Sequence, residues 1–202
     1  MEAVPFMRWA ALICLVATAC GSGSGDTNEG RLSTFRSRAY EYEVAHPPDW
    51  TVIEATRVLD DGEPPATGAG GTDILARHAD RRVRDMTLPA MVVGAQRVAS
   101  TTDIDGWTAT VISTVAFMKQ CARPDSTEQV EVAGERAMLL TYQDCPSGSG
   151  LFHLWTAVVH RGMGFHIVWF DKRGRETADR AALDKMLSSF SFANGGTPPA
   201  HP

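Results

Sequence analysis

Lysine is nearly missing from this chain: Lys119, Lys172 and Lys185 are the only three in 202 residues, and arginine carries the rest of the positive charge. The formal net charge is −5, so no basic field exists to neutralise phosphates. No motif of a nucleic-acid-binding module is present either, which excludes nucleic acid as an expected partner. Also missing is an apolar run of the roughly 20 residues that cross a bilayer as a helix; the run from Trp9 to Ala19 has 11. Gly-x-Ser-x-Gly is absent, and no cysteine sits in a Cys-x-x-Cys or Cys-x-x-His spacing. Gly68-Ala69-Gly70-Gly71 lacks the Walker lysine, and Gly162-Met163-Gly164 lacks the third glycine of a dinucleotide fingerprint, so both read as turns. No cofactor, no metal and no catalytic residue are therefore expected. A triad can still be assembled by geometry alone, so a hydrolase stays open as a minor reading.

What is present begins at the N-terminus. Met7-Arg8 precedes the apolar run, which ends on the small residues Ala17-Thr18-Ala19 directly before Cys20-Gly21. This layout resembles a bacterial lipoprotein signal, with Ala17 where a leucine is usual. The resemblance implies cleavage before Cys20, acylation of that residue, and a membrane partner reached through the lipid on the extracytoplasmic face. Ordinary cleavage after Ala19, releasing a secreted protein, is the alternative. Glu2 offsets Arg8 when translation starts at Met1, whereas a start at Met7 leaves a cleaner export signal.

The chain divides accordingly into a signal segment (1–19), a Gly/Ser-rich tether (20–33), one domain (34–193) and a Pro/Gly-rich tail (194–202). Ten residues of such a tether reach about 17 Å on average. Cys121 and Cys145 are the only cysteines inside the domain. An even pair in an oxidising compartment reads as a disulfide, with two free thiols or half of a metal site as the alternatives.

Within the domain, Tyr40-Glu41-Tyr42-Glu43-Val44 alternates as a half-buried strand does, and Thr51-Val52-Ile53 resumes after the Pro47-Pro48-Asp49-Trp50 corner. Extended segments are expected over 72–79 and 88–98, the second covered on both faces. The period then changes: Ile104, Trp107, Val111, Val115 and Met118 mark one face of a helix capped by Thr102 or Asp103. Segments 128–132, 137–142, 151–160 and 163–170 read as a meander, with turns at Ala133-Gly134, Pro146 to Gly150 and Arg161-Gly162. A closing helix over 176–187 and an extended 189–192 end the domain.

The Tyr40/Tyr42 strand, the Pro48-Asp49-Trp50 corner, the mid-chain helix, the late meander and the terminal Leu187-Ser188-Ser189-Phe190-Ser191-Phe192 together resemble the PsbP-like group, which includes the LpqN-like lipoproteins. The resemblance spans about residues 34–192. It implies an α+β fold, an antiparallel sheet covered by helices in an α/β/α sandwich, in a family of mostly accessory or binding proteins with no catalytic motif to carry over.

Three clusters invite a functional reading. His153, His160 and His166 lie in one hairpin. A two-residue turn at Arg161-Gly162 sets His153 and His166 on one face but about 13 Å apart, too far to share a metal, and His160 on the other. Arg77, Arg81, Arg82 and Arg84 form a patch suited to an anionic head group or acidic partner. Trp107, Trp155, Phe165 and Trp169 are candidates to line an apolar pocket between sheet and helix. The expectation is a lipid-anchored, non-enzymatic envelope protein that binds a partner protein or acts as an accessory factor in cell-envelope assembly; the rival is a carrier of an apolar or lipid ligand.

Overall fold

The computed structural model describes residues 32–61, 63, 70–80, 85–143, 145–146 and 150–193. In chain order the elements are β1 (Ser33–Arg36), β2 (Tyr42–His46), β3 (Thr51–Ile53), β4 (Asp73–Ala76), β5 (Ala79–Asp80), β6 (Asp85–Met86) and β7 (Ala90–Arg97). There follow α1 (Ile104–Lys119), β8 (Ser126–Val132), β9 (Glu135–Tyr142), β10 (Leu151–His160), β11 (Met163–Lys172), α2 (Glu176–Ser189) and β12 (Ser191–Phe192). Seven strands form one antiparallel sheet in the order β3-β4-β7-β11-β10-β9-β8. This is the expected α+β architecture with its late meander.

Two turns set the meander's register. Ala133-Gly134 (φ 54° and 81°) and Arg161-Gly162 (φ 48° and 75°) are left-handed at both central positions, the geometry that matches the twist of a tight hairpin. His160 therefore opposes Met163, His166 opposes Ala157 and His153 opposes Phe170, as the two-residue turn predicts. Strand β7 is buried from Ala90 to Gln96, consistent with a central strand covered on both sides.

The two faces are covered differently. On one, α1 packs Trp107, Val111 and Val115 against Val92, Leu140, Trp155, Ala157 and Val168. Asp103 caps this helix, accepting the Gly106 N–H at 2.8 Å, and Gln120 closes it in the left-handed region. On the other face lie α2 and a second sheet, β1-β2-β12, burying Tyr42, Val44, Leu183, Met186 and Phe190 over Leu75, Val93, Leu154, Phe165 and Trp169.

That second sheet departs from the sequence reading. Strand β1 begins at Ser33, inside the segment read as tether, and pairs with β2 through Phe35 opposite Val44. Tyr40 sits in the connecting turn, not in a strand, because Glu41 turns left-handed (φ 54°) and the Glu41 N–H donates to the Ser37 carbonyl at 3.1 Å. Both tyrosines are nonetheless buried, at 5% and 0% exposure. The expected 72–79 strand ends at Ala76, and β5 is a separate two-residue strand paired with β6.

Candidate functional site

The sheet face beneath α1 carries a row of polar side chains. Tyr142 on β9 is the cross-strand partner of His153 on β10; Trp155 is two residues along on the same face, and His166 on β11 lies diagonal to it with ring centroids 6.3 Å apart. All four are buried at 3% exposure or less. Among the described residues, the Tyr142 hydroxyl, both ring nitrogens of His153, the Trp155 indole N–H and Nε2 of His166 have no hydrogen-bond partner. Such groups are rare in folded interiors, because an unmet buried donor or acceptor costs about 1–3 kcal/mol. Burial drives the His166 imidazole down to about 3, and burial with the nearby Lys119 ammonium drives His153 down to about 4. Both rings are therefore neutral near pH 7. Burial, with Asp125 adding to it, raises the Tyr142 phenol to about 12.

One strong polar contact ties the helix down over this row. The Trp107 indole donates to the Phe165 carbonyl at 2.7 Å, and its ring lies over Gly164, where an added Cβ would fall 2.6 Å from ring carbons. Only glycine fits there. At the other end, the Cys121–Cys145 disulfide, Cα to Cα 5.1 Å, pins the residue just beyond α1 to the segment after β9. Lys119 lies over the Phe170 ring at 5.8 Å.

The opposite face shows the contrasting arrangement. Asp73 is fully buried and accepts the Tyr42 hydroxyl at 2.9 Å and the Ala55 N–H at 2.6 Å. Burial raises its carboxyl, while these donors and Ser37 oppose the rise. Tyr42 stacks on Phe190 at 4.5 Å, and the Tyr40 hydroxyl donates to the Gly71 carbonyl. This network joins β4 to the second sheet. Farther along, Asp171 at the end of β11 is 1% exposed; burial and the Asp179 carboxylate lift it to about 6.

The four aromatic residues proposed to line one pocket do not share a space. Trp107 and Trp155 belong to the α1 side and Phe165 and Trp169 to the α2 side, each at 2% exposure or less. The reason is strand parity: Trp155 opposes Val168, so its side chain points away from those of Phe165 and Trp169 on either side of it. These residues fill two cores. The hairpin register already contained that separation. Of the arginine patch, Arg77 is described and lies 3.8 Å from Asp49; Arg81, Arg82 and Arg84 lie outside the described residues, as does Cys20. His160 sits on the α2 side, bonded to Glu135 at 2.8 Å and stacked on Phe192 at 4.0 Å.

Two hollows lie elsewhere on the surface. One of about 560 Å³ is open and bounded by Arg57, Val58, Leu59, Asp60, Asp61 and Arg97; there the Arg57 guanidinium is held by Glu63 at 2.7 Å. The other, about 260 Å³, flanks the disulfide between Gln120, Arg123, Asp125 and Pro146. Among the described residues no group of three or more His, Cys, Asp or Glu side chains is placed to hold a metal, and no helix is long and apolar enough to cross a membrane.

Sequence reading missed three features: the Asp73–Tyr42 network, the unpartnered polar row and the exposure of Phe117 on α1, which reaches 84%. The row was legible from parity, since His153 and Trp155 are two apart on one strand. Phe117 was legible too, lying opposite the Ile104-Trp107-Val111-Val115 face.

No family model and no curated protein matches this chain. Among solved structures it is similar to cyanobacterial PsbP (CyanoP) from Synechocystis, with a TM-score of 0.56 at 14% identity over 88% of this chain and 98% of that one. A protein from Bacteroides thetaiotaomicron gives 0.50 at 12% identity over 81% of this chain and 49% of that one. LpqN of Mycobacterium tuberculosis, whose structure is described as that of a protein involved in cell envelope biogenesis, gives 0.45 at 10% identity over 81% and 91%. At such identities the shared property is the fold. The chain has the PsbP-like α+β fold.

Proposed function

We propose that this chain is a lipid-anchored protein of the extracytoplasmic cell envelope, acting by binding a partner protein and not by catalysis. The anchor rests on the Ala17-Thr18-Ala19-Cys20 sequence. The binding role rests on one structural observation: the large aromatic residues that a ligand carrier would use are packed in two separate cores on opposite faces of the sheet. A filled interior leaves the surface as the place of function. The hydrolase alternative gains nothing from these histidines: His160 bonds Glu135, the His46 ring contacts the Pro47 carbonyl, and neither nitrogen of His153 has a partner among the described residues.

Two measurements test this. Intact mass of the native product is expected to show a chain beginning at an acylated Cys20; an unmodified residue, or a retained leader, defeats the anchor. Crosslinking in the native membrane followed by mass spectrometry is expected to recover a protein partner, and recovery of lipid alone defeats the binding role.

The carrier reading keeps one observation of its own, the polar row under α1. Neutral donors and acceptors in an apolar setting suit an uncharged amphiphile with hydroxyl or carbonyl oxygens. Mass spectrometry of an organic extract of the purified protein would recover that amphiphile, and a clean extract removes the reading.

A further inference from the structure

The outermost strand of a sheet exposes a row of unpaired backbone N–H and C=O groups, and proteins ordinarily blunt such edges by shortness, proline, lysine or a bulge. The two larger sheets have four edges, and three of them are short: β3 has three residues, β1 has four and β12 has two. Strand β8 differs. It has seven residues, and among the described residues no strand lies beyond it. It contains neither proline nor lysine, and its register with β9 runs one for one, from Ser126 opposite Thr141 to Val132 opposite Glu135, without a bulge.

The Ala133-Gly134 turn decides which backbone groups face outward. In a two-residue hairpin the residues flanking the turn bond to each other, and bonded pairs recur at every second position. Val132 therefore bonds Glu135, Val130 bonds Ala137 and Glu128 bonds Leu139, which turns the backbone of Thr127, Gln129 and Glu131 away from the sheet. Their three N–H and three C=O groups stand at ladder spacing, and all three residues are exposed. We infer that β8 receives an extended segment of a partner protein as an eighth strand, and that this segment carries a basic residue on each of its faces. The inference rests on the partner-binding role proposed above and names what the partner supplies.

Charge selects that occupant. The only charged residues of β8 are Glu128 and Glu131, one on each face: Glu128 shares the α2 side with Leu139 opposite it, and Glu131 shares the α1 side with Thr127 and its partner Leu140. Neither carboxylate has an ion-pair partner among the described residues, since Arg136, opposite Glu131, reaches Asp105 at 3.3 Å instead. An antiparallel strand bonded to all three outward residues sets residues three apart opposite Glu131 and Glu128, so two basic side chains at that spacing answer both. A second copy of β8 in the register that uses all three outward residues pairs Gln129 with Gln129. That register sets the two Glu128 side chains diagonal to each other, about 7–8 Å apart, and leaves four carboxylates unanswered. The edge is thus guarded against itself and open to a basic strand.

The test uses the purified chain and a fluorescein-labelled peptide, Thr-Arg-Val-Thr-Arg-Val-Thr, followed by anisotropy and by hydrogen exchange resolved by NMR. Saturable binding is expected, with the amides of Thr127, Gln129 and Glu131 becoming protected while those of Glu128 and Val130, already bonded to β9, change little. Gln129→Pro removes an outward N–H and no bond to β9, and is expected to weaken binding about tenfold or more. Glu128→Gln and Glu131→Gln are each expected to weaken it about threefold, and together to reduce its salt dependence. The same peptide with glutamate in place of arginine is expected not to bind. A circular dichroism spectrum matching the parent establishes that each variant is folded. No saturable binding up to about 1 mM, binding that Gln129→Pro leaves unchanged, equal binding of the acidic peptide, or self-association of the chain that Gln129→Pro abolishes overturns the inference. Failure here leaves the binding role standing when crosslinking in the native membrane recovers a protein partner, whereas lipid alone in that experiment defeats the role itself.

Discussion

The two faces of the seven-stranded sheet each bury a tyrosine completely, and the two tyrosines live differently. Tyr42, on the α2 side, gives its hydroxyl to Asp73 at 2.9 Å; Tyr142, on the α1 side, gives its hydroxyl to no group among the described residues. The α2 side is locked by a polar network that joins two sheets. The α1 side is held by apolar packing, the Trp107 to Phe165 bond and a covalent bridge, over polar atoms without a hydrogen-bond partner among the described residues.

The comparison breaks most severely at Asp73. Asp73→Ala strands the Tyr42 hydroxyl and the Ala55 N–H in the core, and is expected to cost about 4 kcal/mol, measured by chemical denaturation. An effect under about 1 kcal/mol would mean the network does not lock this side. Next comes the bridge. Replacing Cys121 and Cys145 together by serine reopens a loop closed over a separation of 24 residues, with an expected loss of about 3 kcal/mol. Hydrogen exchange in that variant is expected to accelerate in α1 before α2.

Acid separates the faces with opposite signs. His153 and His166 hold folded-state values near 4 and 3, below the 6.5 of an exposed histidine, so the unfolded chain binds more protons than the folded one between those values. Their contribution is full above pH 6.5 and declines as pH falls, by up to about 1.4 kcal/mol per pH unit for each ring. Asp171, lifted to about 6, acts the other way: the folded chain binds the extra proton between about pH 4 and 6, and stability from this group falls as pH rises through that window. The double variant His153→Phe, His166→Phe is expected to flatten the acid limb of the stability profile, and Asp171→Asn to steepen it. An unchanged limb in the double variant would show that the rings titrate in the folded protein much as they do unfolded.

The smallest effect sharpens the comparison most. Tyr142→Phe removes a buried hydroxyl that has no partner among the described residues, and is expected to leave stability unchanged or to raise it by up to about 1 kcal/mol, against a loss of several for Asp73→Ala. A large loss would reveal a partner for that hydroxyl under α1, and would move the balance toward an occupied site there.

Much of the main sheet could be read in advance, for local reasons. Helix α1 follows from the 3.6-residue recurrence of Ile104, Trp107, Val111 and Val115 and from the Asp103 cap. The β10–β11 hairpin follows from Arg161-Gly162, since a two-residue turn permits one register. The same register separates Trp155 from Phe165 and Trp169, so the single aromatic pocket fails on information the sequence already held. Strand β1 was hidden for another reason: Ser33-Thr34-Phe35-Arg36 offers one buried residue and little alternation beside a Gly/Ser-rich tract.

By itself, then, the sequence determined what depends on neighbours along the chain: the helix periods, the tight turns, the hairpin pairings and the pattern of small residues before Cys20. Only the tertiary structure decided which residues meet across long separations. Phe192 pairs with Tyr42 to complete the second sheet, and Asp73 meets Tyr42 in the core. Such meetings follow from closing large loops and filling a shared interior, a balance struck over the whole fold and written in no short stretch of it.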